Sequence, residues 1–330
     1  MKEIQITPTK TWVSDFDYVV DNSNRRFWGK LDVQTHLDVG LPLKPGIETY
    51  FIQDNDGQRV VAQVSGDPNG SIAYLLHGSP GSQYDQSLYH NYLRYSGLQV
   101  VTIARDGYSL SDSSPGRRIA KTAERVQLVA DKLEKPPEYV IGRSGGASGA
   151  LACSVLPDVK RVAALVPLAP REALGDSWYE GMTEFNVTVY QAAEHSPEKA
   201  ARMLDLESRR IITRQRDYAK AAITRHTYQD PSLLSQYLGL VQGPEGWIHD
   251  SIAAVSSWGY DPTMPKKSVE TLIWSCGQDL YTGIQHSLWL AENIPGAQLH
   301  VQPEAKHITA AKILPEILNW CLTGEFNPLT

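Results

Sequence analysis

The run "YVIGRSGGASGALAC" (residues 139–153) sets Ser144 among glycines, after an apolar β-forming stretch and before an alanine-rich helix former. Gly142-Arg143-Ser144-Gly145-Gly146 fits the pattern G-x-S-x-G, a sharp strand-to-helix turn that lifts a serine hydroxyl above a sheet, with glycines letting the backbone pass closely. Such a hydroxyl could attack a carbonyl carbon. A plain glycine-rich turn, or a phosphate cradle at a helix N-terminus, is the competing assignment. The sequence has neither G-x-G-x-x-G nor a Gly-Lys-Ser/Thr ending at this point, so the nucleophile is the stronger reading.

A serine hydroxyl is a weak nucleophile until a neighbouring base takes its proton, so a histidine held by a carboxylate is required. For a serine on this kind of turn the chain order is Ser, then Asp or Glu, then His. After Ser144 come His195, His226, His249, His286, His300 and His307. The first three fall in a helical region, His286 reads as helical, and His300 lies within the strand "QLHVQ". His307, in "PEAKHITA", sits in a loop between a strand and the last helix and is the candidate base. The carboxylate is expected at Asp279, where "TLIWSCGQDLYTG" leaves a strand; a helix N-cap is the competing role. Glu304 is nearer to His307 in sequence but has no strand end to project from.

A tetrahedral intermediate also needs donors for its negative oxygen. The amide of Gly145 supplies one. The other is expected from "HGSPGS" (residues 77–82), which follows the strand "SIAYLL", with the Ser79 amide as the donor.

The elements that must position these groups are legible in outline. "ETYFIQ" and "RVVAQVS" flank Asp56-Gly57 and read as a hairpin. "SIAYLL", "QVVTIA", "EYVIG" and "RVAALVPLA" are short apolar runs alternating with helical stretches such as 118–133, the signature of strands buried on both faces of a mostly parallel sheet. The rhythm stops at Pro170, gives way to helical patterns, and resumes with "ETLIWSC", a helix near 285–294, "AQLHVQ" and a closing helix over 308–322. The expected organisation is an N-terminal arm (1–45), an α/β core (46–170 and 259–330) with a mostly parallel central sheet flanked by helices, and a helical lid (171–258). An insertion after a strand's carboxyl end is placed to cover a ligand site. Trp178, Tyr179, Met182, Phe185 and Tyr190 are candidates to line its apolar pocket, or to pack the lid onto the sheet. Trp247 and Trp258 read as lid anchors.

Composition narrows the function. The chain of 330 residues is 42% hydrophobic and 21% charged, with a formal net charge of −6 and no basic block. This argues against a nucleic-acid partner. No apolar run reaches a membrane span and the first residues lack a secretory signal, so no membrane association and a cytoplasmic location are expected. Cys153, Cys276 and Cys321 read as reduced core residues, and no histidine or cysteine spacing suggests a metal.

Together "HGSPGS", "ARDGYSLSD", "GRSGG", "LAPREALGDSWYEGM", "GPEGWIHDSIAAVSSWGYDP" and "WSCGQD…KH" resemble the α/β-hydrolase superfamily over residues 45–325, in particular its lidded, proline iminopeptidase- and esterase-like serine hydrolase branch. The resemblance implies an α/β-hydrolase fold with a cap, no cofactor, and attack on a small-molecule ester, lactone, thioester or amide through an acyl-enzyme. Ser144 stands where haloalkane dehalogenases and epoxide hydrolases carry aspartate, which argues against both. The Gly-Gly-Ser-Trp-Gly elbow usual in proline iminopeptidases is absent. Arg143 replaces a more usual histidine or asparagine, and "ARDGYS" departs from Asp-Arg-Pro-Gly-Tyr-Gly. An acyltransferase or cyclase on the same residues, and a non-catalytic ligand-binding scaffold, are the alternatives.

Overall fold

The computed structural model describes residues 29–30, 46–85, 93, 95–225, 231–265 and 269–326. The expected N-terminal arm lies outside the described residues apart from Gly29–Lys30, which forms a short edge strand, β1.

Among the described residues, nine strands form one sheet in the order β1-β2-β3-β5-β4-β6-β7-β8-β9. The hairpin foreseen around Asp56-Gly57 is β2 (Ile47–Gln53) and β3 (Arg59–Gly66), and β3 pairs antiparallel with β5 (Leu98–Ala104). From β5 the sheet is parallel through β4 (Ser71–Leu76), β6 (Tyr139–Arg143), β7 (Arg161–Leu165), β8 (Glu270–Cys276) and β9 (Gln298–Gln302).

The continuous apolar runs have the cause expected of them. Tyr74, Leu76, Val140, Val162 and Ala164 face one buried cluster, while Ala73, Leu75, Ile141, Ala163 and Leu165 face another on the opposite side. Helices α1 (Lys121–Leu133) and α2 (Ala147–Ala152) cover the first face through Val126, Val129, Ala150 and Leu151. The second is covered by the closing helix through Leu314, Ile317, Leu318 and Cys321. All three cysteines are free and buried.

Between β7 and β8 the described residues hold helices and no strand. They are α3 (Arg171–Leu174), α4 (Glu184–His195), α5 (Pro197–Arg225), α6 (Pro231–Gly239) and α7 (Glu245–Val255). Trp258 is buried there, stacked on Tyr260 with its indole N–H donating to the Ala254 carbonyl. Helix α8 (Ile284–Asn293) follows β8. No helix among the described residues is long and apolar enough to cross a membrane.

The closing helix differs from expectation. Instead of one helix over 308–322, a short 3₁₀ turn (His307–Ala311) precedes α9 (Leu314–Thr323). Pro315 is the reason: it has no N–H to offer a preceding turn, so it is accommodated only at a helix start.

Candidate active site

The parallel strands point their carboxyl ends the same way. His77, Arg105, Ser144 and the Asp279 turn therefore gather along one edge of the sheet, the edge where open α/β sheets hold ligands.

Ser144 heads a 3₁₀ turn between β6 and α2 with φ of 52°, a left-handed conformation that costs a non-glycine residue on the order of 1–3 kcal/mol. The glycines around it are dictated by space. A Cβ on Gly142 would lie 2.7 Å from the Ala147 Cα, and one on Gly146 would lie 2.5 Å from the carbonyl oxygens of Leu76 and His77. The chain can fold over so tightly only without side chains there.

The three residues singled out from the sequence meet. The Ser144 Oγ lies 3.0 Å from His307 Nε2, and His307 Nδ1 lies 2.7 Å from Asp279 Oδ2. Asp279 is held in turn: its Oδ1 accepts from the amides of Tyr281 (2.8 Å) and Thr282 (3.1 Å), and its Oδ2 accepts from the Thr282 hydroxyl (3.0 Å). Burial works to raise this carboxyl's pKa, but the His307 hydrogen bond and charge, with the two amides, outweigh it and hold the group below the usual range. An ionised Asp279 accepts the Nδ1–H, which leaves Nε2 as the acceptor for the Ser144 proton. The Tyr281 ring lies against the imidazole, centroids 4.9 Å apart.

Ser79 and Gly145 also meet. A Cβ on Gly145 would run into the Ser79 Oγ and lie 3.4 Å from the Ser79 amide nitrogen. The loop carrying Ser79 is pinned by His77, which is fully buried. Its Nδ1–H donates to the Gly78 carbonyl (2.7 Å) and its Nε2 accepts the Arg105 amide (3.0 Å). Burial, reinforced by the Arg105 charge, pushes the His77 pKa down to about 3, so the ring stays neutral.

Among the pocket candidates, Trp178 takes the packing role, one of the two left open for it. It has no solvent-accessible surface, its indole N–H donates to the Ala169 carbonyl at 2.8 Å, and Tyr179, Tyr190 and His286 meet it edge-on. A side chain touching a ligand-sized cavity would show accessible area, so Trp178 is packing at the base of the insertion. Tyr179, Met182, Phe185 and Tyr190 are half-buried and keep part of their surface. Tyr179 is committed at its hydroxyl, which donates to Glu194 at 2.5 Å.

Sequence reasoning missed a charged cluster beside Ser79. Asp250, on α7, receives Arg105 (2.8 Å), Arg117 (2.5 Å), the Tyr108 hydroxyl (2.7 Å) and the Ser79 hydroxyl. Burial opposes its ionisation, but the two arginines prevail and its pKa is held down at about 2. The only signal was the unusual "ARDGYS", with Asp250 lying 145 residues further along. Arg143, unassigned from sequence, forms a half-buried ion pair with Asp85.

No family model matches the chain. It is 26% identical over 247 residues (72% of this chain, 82% of the relative) to a 2-hydroxy-6-oxononadienedioate/2-hydroxy-6-oxononatrienedioate hydrolase of Comamonas testosteroni. To a 2-hydroxy-6-oxo-6-phenylhexa-2,4-dienoate hydrolase of Burkholderia cepacia it is 25% identical over 249 residues, with the same coverage. Among solved structures it superposes on an esterase from Exiguobacterium antarcticum with a TM-score of 0.59 at 20% identity, covering 83% of this chain and 98% of the other. The enol-lactonase from Burkholderia xenovorans LB400 gives 0.58 at 16%, covering 83% and 99%.

Proposed function

Since the chain is an α/β-hydrolase-fold enzyme, we propose that it is a serine hydrolase that cleaves a small-molecule ester, lactone, thioester or amide through an acyl-enzyme. Ser144 Oγ attacks the carbonyl carbon while its proton passes to His307 Nε2, and Asp279 stabilises the imidazolium that results. The amides of Gly145 and Ser79 hold the oxyanion. The tetrahedral adduct collapses as His307 returns the proton to the leaving group, and water, deprotonated by His307, then releases the acid. The helices between β7 and β8 act as the lid and shape the acyl pocket.

The observation that carries this reading is the unbroken hydrogen-bonded line from Ser144 through His307 to a saturated Asp279. Its support from relatives is of kind rather than of substrate: those named above are two dienoic-acid hydrolases, an esterase and an enol-lactonase. A fluorophosphonate probe should form one adduct on the native protein, on Ser144, and Ser144→Ala should abolish both the adduct and turnover of p-nitrophenyl butyrate. A native protein that takes no label at Ser144 would overturn the reading.

A further inference from the structure

The geometry points to Asp250 as a positioning residue for the oxyanion hole: a carboxylate of the insertion that fixes the orientation of Ser79 and so aims its amide at the developing oxyanion. The inference rests on the serine hydrolase reading above and adds a residue that the triad and the oxyanion donors do not include.

Ser79 makes two side-chain hydrogen bonds. Its hydroxyl donates to Asp250 Oδ2 and accepts from Arg105 Nη2 at 2.8 Å. With both its donor and an acceptor lone pair engaged, the side chain is confined to one rotamer, and the backbone of a residue packed this tightly against Gly145 cannot turn independently. An oxyanion donor acts only if its N–H already points where the charge appears, so orientation is what must be maintained.

Asp250 is built to maintain it. Its two oxygens take Ser79, Tyr108, Arg105 and Arg117, which fills the roughly four acceptor sites of a carboxylate and leaves no freedom to rotate. Arg105 also closes the ring from below: its Nε donates to the His77 carbonyl (3.0 Å) and its Nη2 reaches the Gly78 carbonyl (3.2 Å), the two residues that lead into Ser79. The carboxylate is thus the centre of a frame around the oxyanion loop, and Gly145, Arg105, Arg117 and Asp250 border one cavity.

A plain structural role would be to fasten α7 to the core, and the two roles separate experimentally. Ser79→Ala keeps the amide and the bonds of Asp250 to Arg105, Arg117 and Tyr108, and removes the Ser79 hydroxyl's links to Asp250 and to Arg105. Asp250→Asn removes the charge at nearly constant shape. With p-nitrophenyl butyrate, each single variant should lower kcat by about 10- to 100-fold while KM stays within about threefold, since one misaimed donor costs up to what a deleted one does. Affinity for a trifluoromethyl ketone, which forms the tetrahedral adduct, should fall in parallel with kcat. The double variant should be no slower than the slower single, because both changes break the same link.

Wild-type kcat in Ser79→Ala, or losses that multiply in the double variant, would overturn the inference. So would an Asp250→Asn that lowers only the unfolding temperature. Should that variant fail to fold, Ser79→Ala decides alone. Failure here is distinct from failure of the hydrolase reading, which is judged by labelling of Ser144 in the native protein.

Discussion

Replacing Asp279 with asparagine should leave the fold intact and remove nearly all turnover. The asparagine carbonyl oxygen would take the place of Oδ1, where the amides of Tyr281 and Thr282 demand an acceptor at 2.8 and 3.1 Å. That choice puts the NH₂ group at the Oδ2 position, facing His307 Nδ1 across 2.7 Å. The Thr282 hydroxyl tolerates the exchange, because its proton can turn to the Val166 carbonyl at 3.2 Å. The imidazole cannot tolerate it. With a donor opposite, Nδ1 must accept, the ring proton moves to Nε2, and Nε2 then points a hydrogen at Ser144 instead of a lone pair. Holding the base in this tautomer is worth about 10⁴ in kcat where the same arrangement has been altered, or about 5.5 kcal/mol of barrier at 1.36 kcal/mol per tenfold. Steady-state hydrolysis of p-nitrophenyl butyrate measures the loss, with a denaturant titration to confirm that stability moves by no more than about 2 kcal/mol. A folded Asp279→Asn protein within tenfold of wild-type kcat would refute the reasoning.

Two further outcomes test the frame around the site. Burial pushes His77 down to about 3 and His249 and His286 to about 4, below the 6.5 of an unfolded chain. Below pH 6.5 the unfolded state therefore binds protons that the folded state refuses. Stability is full above that pH and falls toward pH 4, by up to about 1.4 kcal/mol per pH unit for each ring. Urea unfolding at pH 7 and pH 5 should differ by several kcal/mol, and equal midpoints would contradict the burial of these rings as neutral groups. Trp178→Ala should cost about 3–5 kcal/mol in the same assay, because the indole fills a sealed site and satisfies the Ala169 carbonyl. A loss under about 1 kcal/mol would return Trp178 to the accessible surface.

Much of the site was legible because its signals are local. Ser144 declares itself by glycines whose absent side chains are a steric necessity, and Asp279 and His307 by following the last two strands in the order that a Ser-Asp-His relay requires. The rival assignment at Asp279, a helix N-cap, is not what forms: the following helix starts from Gly283 without a side-chain cap, and the carboxylate instead holds a turn through the Tyr281 and Thr282 amides while it receives His307. His307 likewise both heads a short 3₁₀ helix and reaches the serine. What stayed hidden depends on distance along the chain. Arg105, Arg117 and Asp250 are ordinary surface-type residues in one dimension, and only folding shows that one half-buried carboxylate serves both arginines. Trp178 stayed open between pocket and packing for a related reason, since an aromatic-rich stretch reads the same whether it faces a ligand or the interior.

Strands β7 and β8 lie side by side, with Leu165 opposite Trp274, although residues 166–269 separate them in the chain. The serine and its proton acceptor are consequently anchored by a continuous floor that does not pass through the intervening helices. Those helices leave and rejoin the floor at two adjacent strands, so a change in their length need not alter the pairing of β7 with β8. Remodelling them would reach the site through at least two ties: Asp250 at Ser79, and Thr183 and Asn186, which donate to the carbonyls of Leu280 and Tyr281 beside Asp279.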